Sequence, residues 1–251
     1  MMVAHAANLM EWDFTIYSRK QKSKLYGAQY LHKPIPQLDC GAPMTVAYKM
    51  VGNARAYRFK VYGPEWDGTV SPEDFTESHF AWDIRKAYDD LWNVYSGQIE
   101  NCDIGPGKVN PRTFVWTRKH DLVISTIPRK VWAEPDDVFE SRKVYALGDT
   151  EDARVRLYRP EPFTVVCDGT SKVDWYRVSN IFGYCTMEWP YVDCWHPPPA
   201  MGASVVEKPL RHNSKAASDF IHLGRFGKWE KGVLTTDAFY DALKILARDG
   251  I

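Results

Sequence analysis

No apolar run in this sequence approaches the roughly 18 residues that a membrane-spanning helix needs, and its first residues lack the basic region and apolar stretch of a secretory leader. The expected location is cytoplasmic, with no membrane partner. Charge of one sign is missing as well. The 32 Lys and Arg residues balance 32 Asp and Glu residues, so no global field is present to hold nucleic acid or an anionic surface, and partners must be argued locally. Cys-x-x-Cys pairs are absent. The five cysteines, Cys40, Cys102, Cys167, Cys185 and Cys194, are odd in number and widely spaced, which argues against a disulfide framework or a zinc knuckle. Cys185, Cys194 and His196 do not make a recognised metal-ligand pattern, and no metal is expected. There is no internal repeat, Walker loop or nucleophile elbow, and no acid, base or nucleophile stands out.

What is present is a chain of 251 residues, 45% hydrophobic, long enough for one large core or two interleaved ones. Ten tryptophans and fourteen tyrosines suit packing against a flat ring or a sugar, or an ordinary aromatic core. Near the start, Val3, Ala6, Ala7 and Met10 make a small-residue helical face. The run Phe14–Tyr17 reads as a strand directly after it, so the opening resembles the second half of a βαβ unit. The basic cluster Arg19, Lys20, Lys22 and Lys24 follows and can serve a cofactor phosphate, a nucleic-acid backbone or a solvated loop. The runs 45–50 and 54–62 around Gly52-Asn53 read as a hairpin. Ser71-Pro72-Glu73-Asp74 offers a helix start, and Phe80, Ile84, Ala87, Tyr88, Leu91 and Tyr95 draw one apolar helical face. Further strands are expected at 113–116, 121–128, 144–147, 163–167 and 175–183, with a stiff connector at Cys194-Trp195-His196-Pro197-Pro198-Pro199.

The last stretch organises the rest. Phe239, Ala242, Leu243 and Leu246 form the buried stripe of an amphipathic helix that Thr235 or Thr236 can cap, preceded by the glycine-containing segment Gly224-Arg225-Phe226-Gly227-Lys228-Trp229. A helix start reached through glycines exposes backbone N–H groups and the positive end of the helix dipole, which together suit an anion, and Arg225 adds a cationic fork.

That segment, the strand Asp121-Leu122-Val123-Ile124-Ser125-Thr126-Ile127-Pro128 and the segment Trp175-Tyr176-Arg177-Val178-Ser179 resemble parts of FAD-dependent amine oxidoreductases and UDP-galactopyranose mutases. The resemblance implies an α/β fold in which an incomplete FAD/NAD(P)-binding Rossmann-like layer (1–45, 113–150 and 205–251) is interleaved with a substrate module of antiparallel sheet plus helix (46–112 and 151–204). It implies FAD as cofactor, contacted by Arg19, Ser125, Thr126, Gly224, Arg225, Gly227, Trp229, Thr235 and Thr236. Arg177 and Tyr176 would act at the substrate side. The implied activity is oxidation or reduction of a small amine or of a nucleotide-linked or sugar-like molecule. The first strand and Gly-x-Gly-x-x-Gly turn of that family are not in residues 1–251, which predicts weakened FAD binding. A non-enzymatic binding protein of the same fold and a nucleic-acid-modifying enzyme or accessory are the two alternatives.

Overall fold

The computed structural model describes residues 1–70, 75–102, 104, 122–148, 153–191, 202–214 and 220–249. The expected helix start at Ser71–Asp74, the strand at 113–116 and the connector at Cys194–Pro199 lie outside them. The chain opens with helix α1 (Met2–Leu9) and strand β1 (Ile16–Ser18), followed by β2 (Met44–Val51), α2 (Ala54–Tyr62), β3 (Ser78–Ala81), α3 (Ile84–Tyr95) and β4 (Ile99–Asn101). Next come β5 (Ile124–Ser125), β6 (Phe139–Leu147), α4 (Ala153–Tyr158), β7 (Thr164–Asp168), β8 (Arg177–Ile181) and β9 (Tyr184–Pro190). Strands β10 (Ser204–His212) and β11 (Ile221–His222) and helices α5 (Gly224–Lys228) and α6 (Thr235–Asp249) complete the described elements.

The fold is mixed α/β. Seven strands form one sheet in the order β10-β6-β9-β8-β7-β2-β3, antiparallel throughout except where β2 runs parallel to β7. Two short pairs stand apart from it, β1 parallel to β4 and β5 parallel to β11. Around these pairs α1 packs along α6, and Ala6, Ala7, Ile84, Ala87, Leu223, Phe239, Ala242 and Leu246 share one core cluster. The stripe expected on the last helix is therefore a buried one. Its burial is also what holds α1, whose alanines let the two helices approach closely.

Two expectations need correction. Residues 54–62 are a helix and not a hairpin strand. Asn53 sits in an extended conformation and its side-chain carbonyl accepts from the Ala56 N–H at 2.9 Å, an N-cap that turns Gly52-Asn53 into a strand-to-helix junction. Tyr57 and Val61 then bury one helical face. The long helix expected from residue 71 begins at Ile84, where the Asp83 carboxylate caps the Arg85 N–H at 2.8 Å. Residues 78–81 instead form the edge strand β3, on which Phe80 is exposed. Strand β6 pairs with β9 and β10 pairs with β6, so both run in the seven-stranded sheet. Strand partners here are set by register over long sequence separations.

Candidate functional site

Two places in the molecule collect polar chemistry. The first is on the sheet face covered by α2. In the register of β8 with β9, Arg177 stands opposite Glu188. The Arg177 guanidinium donates through Nε to Glu188 Oε2, and Lys208 reaches the other carboxylate oxygen from β10 while also donating to the Tyr176 hydroxyl at 3.0 Å. Glu188 is only 2% exposed. Lys208 Nζ and the Arg177 guanidinium lie 5.6 and 5.9 Å from the centre of the Tyr176 ring. Backbone comes close too. Gly27 has φ +77°, and a Cβ there would stand 3.0 Å from Glu188 Oε1, so only glycine lets this segment lie on the carboxylate.

Electrostatics follow from that packing. Burial by itself would raise Glu188, but Arg177 and Lys208 outweigh it and hold the carboxyl down at about 2. Burial also pulls Lys208 down to about 8, against the opposing pull of Glu188. The Tyr57 and Tyr176 phenols are pushed well above their ordinary range by burial. Arg225 adds a third cation within electrostatic reach of Arg177 and Glu188; its Nη2 donates to the Pro209 carbonyl at 3.4 Å, and its buried Nε has no partner among the described residues. Among those residues, Glu188 pairs with two cations, Arg177 and Lys208. Such a set favours a further anionic or strongly polar group.

The second place is a cleft of about 420 Å³ between β1 and β5. Ala4 and Ala7 of α1 line one wall, the run 13–17 another and the run 122–127 the side opposite. Its end is shared with a more open cleft of about 640 Å³ through Tyr17, Ile104 and Ile127. Arg19, Lys22, Lys24 and Tyr26 line that outer part. Tyr17 and Ile127 lie at and just beyond the carboxyl ends of β1 and β5, so the clefts meet near those ends. In open parallel α/β sheets that is where ligands bind. The segment after β1 also joins the two places, because Tyr26 lines the outer cleft and Gly27 touches Glu188.

The expected site residues divide accordingly. Ser125 and Thr126 line the inner cleft, and the buried Ser125 hydroxyl has no partner among the described residues. Arg19 lines the outer one. Arg177 and Tyr176 belong to the ionic cluster, as does Arg225. The glycine-containing segment is not a loop but the short helix α5. A Cβ on Gly227 would come within 2.8 Å of the Ser125 carbonyl, so this glycine serves the close packing of α5 on the end of β5. Trp229 caps α5 in the left-handed conformation, is 1% exposed and donates its indole N–H to the Glu140 carbonyl at 2.9 Å. It is an anchor to β6.

At the start of α6, Thr235 is exposed and Thr236 buried. The Asp237 carboxylate there accepts from the Leu234 N–H at 2.8 Å, placing a negative charge where the helix dipole favours one. Arg225 is directed to β10, with its Nη2 on the Pro209 carbonyl. In the basic cluster, Lys22 pairs with Asp89 at 2.5 Å.

Glu188 and Lys208 were not anticipated. A carboxylate in the otherwise apolar run of β9 was a readable signal for Glu188; nothing local marks Lys208. Among the described residues no group of three His, Cys, Asp or Glu side chains is placed to hold a metal ion, and no helix is long and apolar enough to cross a membrane. No protein-family model, curated protein or solved structure matches the chain.

Proposed function

We propose that this protein is an FAD-dependent oxidoreductase-like protein, holding its cofactor along the carboxyl ends of β1 and β5 and a small amine or a nucleotide-linked or sugar-like substrate near Arg177 and Tyr176. The observation that carries the reading is the continuous pair of clefts at those strand ends, with the partnerless Ser125 hydroxyl and Thr126 inside and Arg19 at the rim. These residues fit a ribose and phosphate chain: hydroxyl and backbone groups inside, cationic side chains outside. A bound flavin would supply the hydride acceptor. The chain's own residues bind and orient. Arg177, Lys208 and Arg225 draw an anionic or polar substrate group to the sheet face, and the buried Tyr176 ring fixes its position.

The test is a fluorescence titration of FAD into the purified protein and a folded Thr126→Trp variant, whose indole fills the inner cleft. Saturable binding is expected, weakened roughly tenfold or more in the variant, equivalent to at least about 1.4 kcal/mol. Absence of saturable binding, or equal affinity in the variant, defeats the reading. A binding protein of the same fold without tight flavin is the second reading. It is favoured by the carboxylate at the start of α6 and by the burial of Trp229, which remove two expected cofactor contacts. The same titration separates the two.

A further inference from the structure

Trp132 ends the short 3-10 turn Arg129–Trp132 that follows Pro128 after β5, and it lines the inner cleft beside Phe220, with 4.8 Å between ring centres. Residues away from the cleft hold the turn in place. The Val131 N–H donates to the Pro128 carbonyl at 2.9 Å, and Lys130 pairs with Glu207 of β10 while its ammonium lies 4.9 Å from the centre of the Trp229 ring. Trp132 is thus positioned by contacts that no ligand has to supply, as a preorganised binding group must be.

Its indole Nε1 is buried and has no hydrogen-bond partner among the described residues. An indole N–H can only donate. Left buried and unpaired, it carries its whole desolvation cost, and native proteins rarely keep such a donor without a use for it. The Ser125 hydroxyl on the same cleft is in the same condition, in a residue 8% exposed. Two orphaned polar groups on one largely apolar cavity make the pattern of a ligand site, where a few fixed polar groups orient an apolar body.

The lining narrows the chemistry of that body. Trp12, Phe14, Tyr17 and Phe220 join Trp132 around the cleft, which suits a flat ring. Charge divides between the two clefts. Among the described residues lining the inner one there is no Lys, Arg or His and one carboxylate, Asp13, whereas Arg19, Lys22 and Lys24 line the outer one. Phosphates are drawn outward, so the inner part of the ligand is uncharged and carries an acceptor for the indole N–H. We propose that Trp132 is a ring-recognising residue of this cleft, its indole N–H donating to a ring nitrogen or carbonyl of an uncharged heteroaromatic ring borne on a phosphate chain. Resting on the cofactor assignment above, this role applies to FAD through one of its two rings, the flavin or the adenine.

The experiment follows the indole N–H resonance of Trp132 by heteronuclear NMR in the unaltered full chain, assigned through its contact with the Phe220 ring and by its loss in Trp132→Phe. Adding FAD should move that resonance downfield and slow its exchange with solvent. Trp132→Phe, which keeps a ring and removes the donor, should bind FAD roughly tenfold more weakly, the share of one buried hydrogen bond. Riboflavin and adenosine are then added separately, and the one that moves the same resonance identifies the ring. FAD that binds without moving the resonance, or that binds the variant with equal affinity, overturns the role of Trp132 and leaves the cofactor site standing. So does a resonance moved by inorganic pyrophosphate, or by neither ring. Absence of FAD binding defeats the cofactor assignment itself and this role with it. If the variant does not fold, the resonance in the unaltered protein decides.

Discussion

The two faces of the seven-stranded sheet are made by the same strands, one residue out of step. Along β9, Thr186 and Glu188 turn to the face under α2, while Cys185, Met187 and Trp189 turn to the other and pack with Tyr145, Val178 and Val155 of α4. Both faces are buried. Around β9 one face holds a carboxylate and its cations and the other apolar and aromatic side chains, with the buried Asn180 and Thr164 farther along it. The apolar face depends on filled volume and tolerates a change of shape at constant volume. The charged face depends on every partner being present, because a buried ion without its counter-ion carries its whole desolvation cost. A buried ionic cluster is also poor evidence for stability, since well-packed apolar residues of like size often serve as well or better.

The largest difference is expected from near-isosteric changes one residue apart. Glu188→Gln leaves Arg177 and Lys208 without their counter-charge and should cost about 3–5 kcal/mol. Met187→Leu on the opposite face should cost less than about 1.5 kcal/mol. Urea denaturation of both variants measures the contrast, and equal losses would erase the distinction between the faces.

Acid should act next, and on one face only. The folded-state carboxyl of Glu188 lies at about 2 against an ordinary 4.5, so its contribution is fully present above pH 4.5 and is lost as the pH falls toward 2. The whole window corresponds to on the order of 3 kcal/mol. Comparing the pH dependence of unfolding in the unaltered protein and in Glu188→Gln isolates this share, because the other carboxylates titrate in both. Identical profiles would mean that Glu188 is not held ionised.

The smallest effect sharpens the comparison by taking burial away. Lys22 and Asp89 are paired at 2.5 Å with side chains 45% and 58% exposed. Lys22→Ala should change stability by no more than about 1 kcal/mol, and less in high salt. A loss as large as that of Glu188→Gln would show that charge pairing and not burial sets the scale.

Much of the local structure was legible in the residue pattern. The stripe Phe239, Ala242 and Leu246 gave α6, the small face around Ala6 and Ala7 gave α1, and the run ending at Cys167 gave β7, since each of these periodicities is a local consequence of burying one side of one element. Gly52-Asn53 was misread because the same two residues suit a hairpin turn and a helix cap, and only burial of Tyr57 and Val61 against the sheet selects the helix. The α5 glycines were visible as well, but not their purpose: whether a glycine admits a ligand or a neighbouring backbone depends on what lies within 3 Å of it.

The sequence by itself determined the mixed α/β content, the amphipathic first and last helices, and the zero net charge that leaves any binding to local clusters. Tertiary structure alone decided that β6 joins β9 and β10 joins β6, that Arg177, Glu188 and Lys208 meet, and that β1 and β5 line one cavity. The reason is range. Helix periodicity and caps are written within about one to four residues of each other, whereas sheet register and charge convergence join residues far apart in the chain, where competing pairings differ only in the summed packing of the whole molecule.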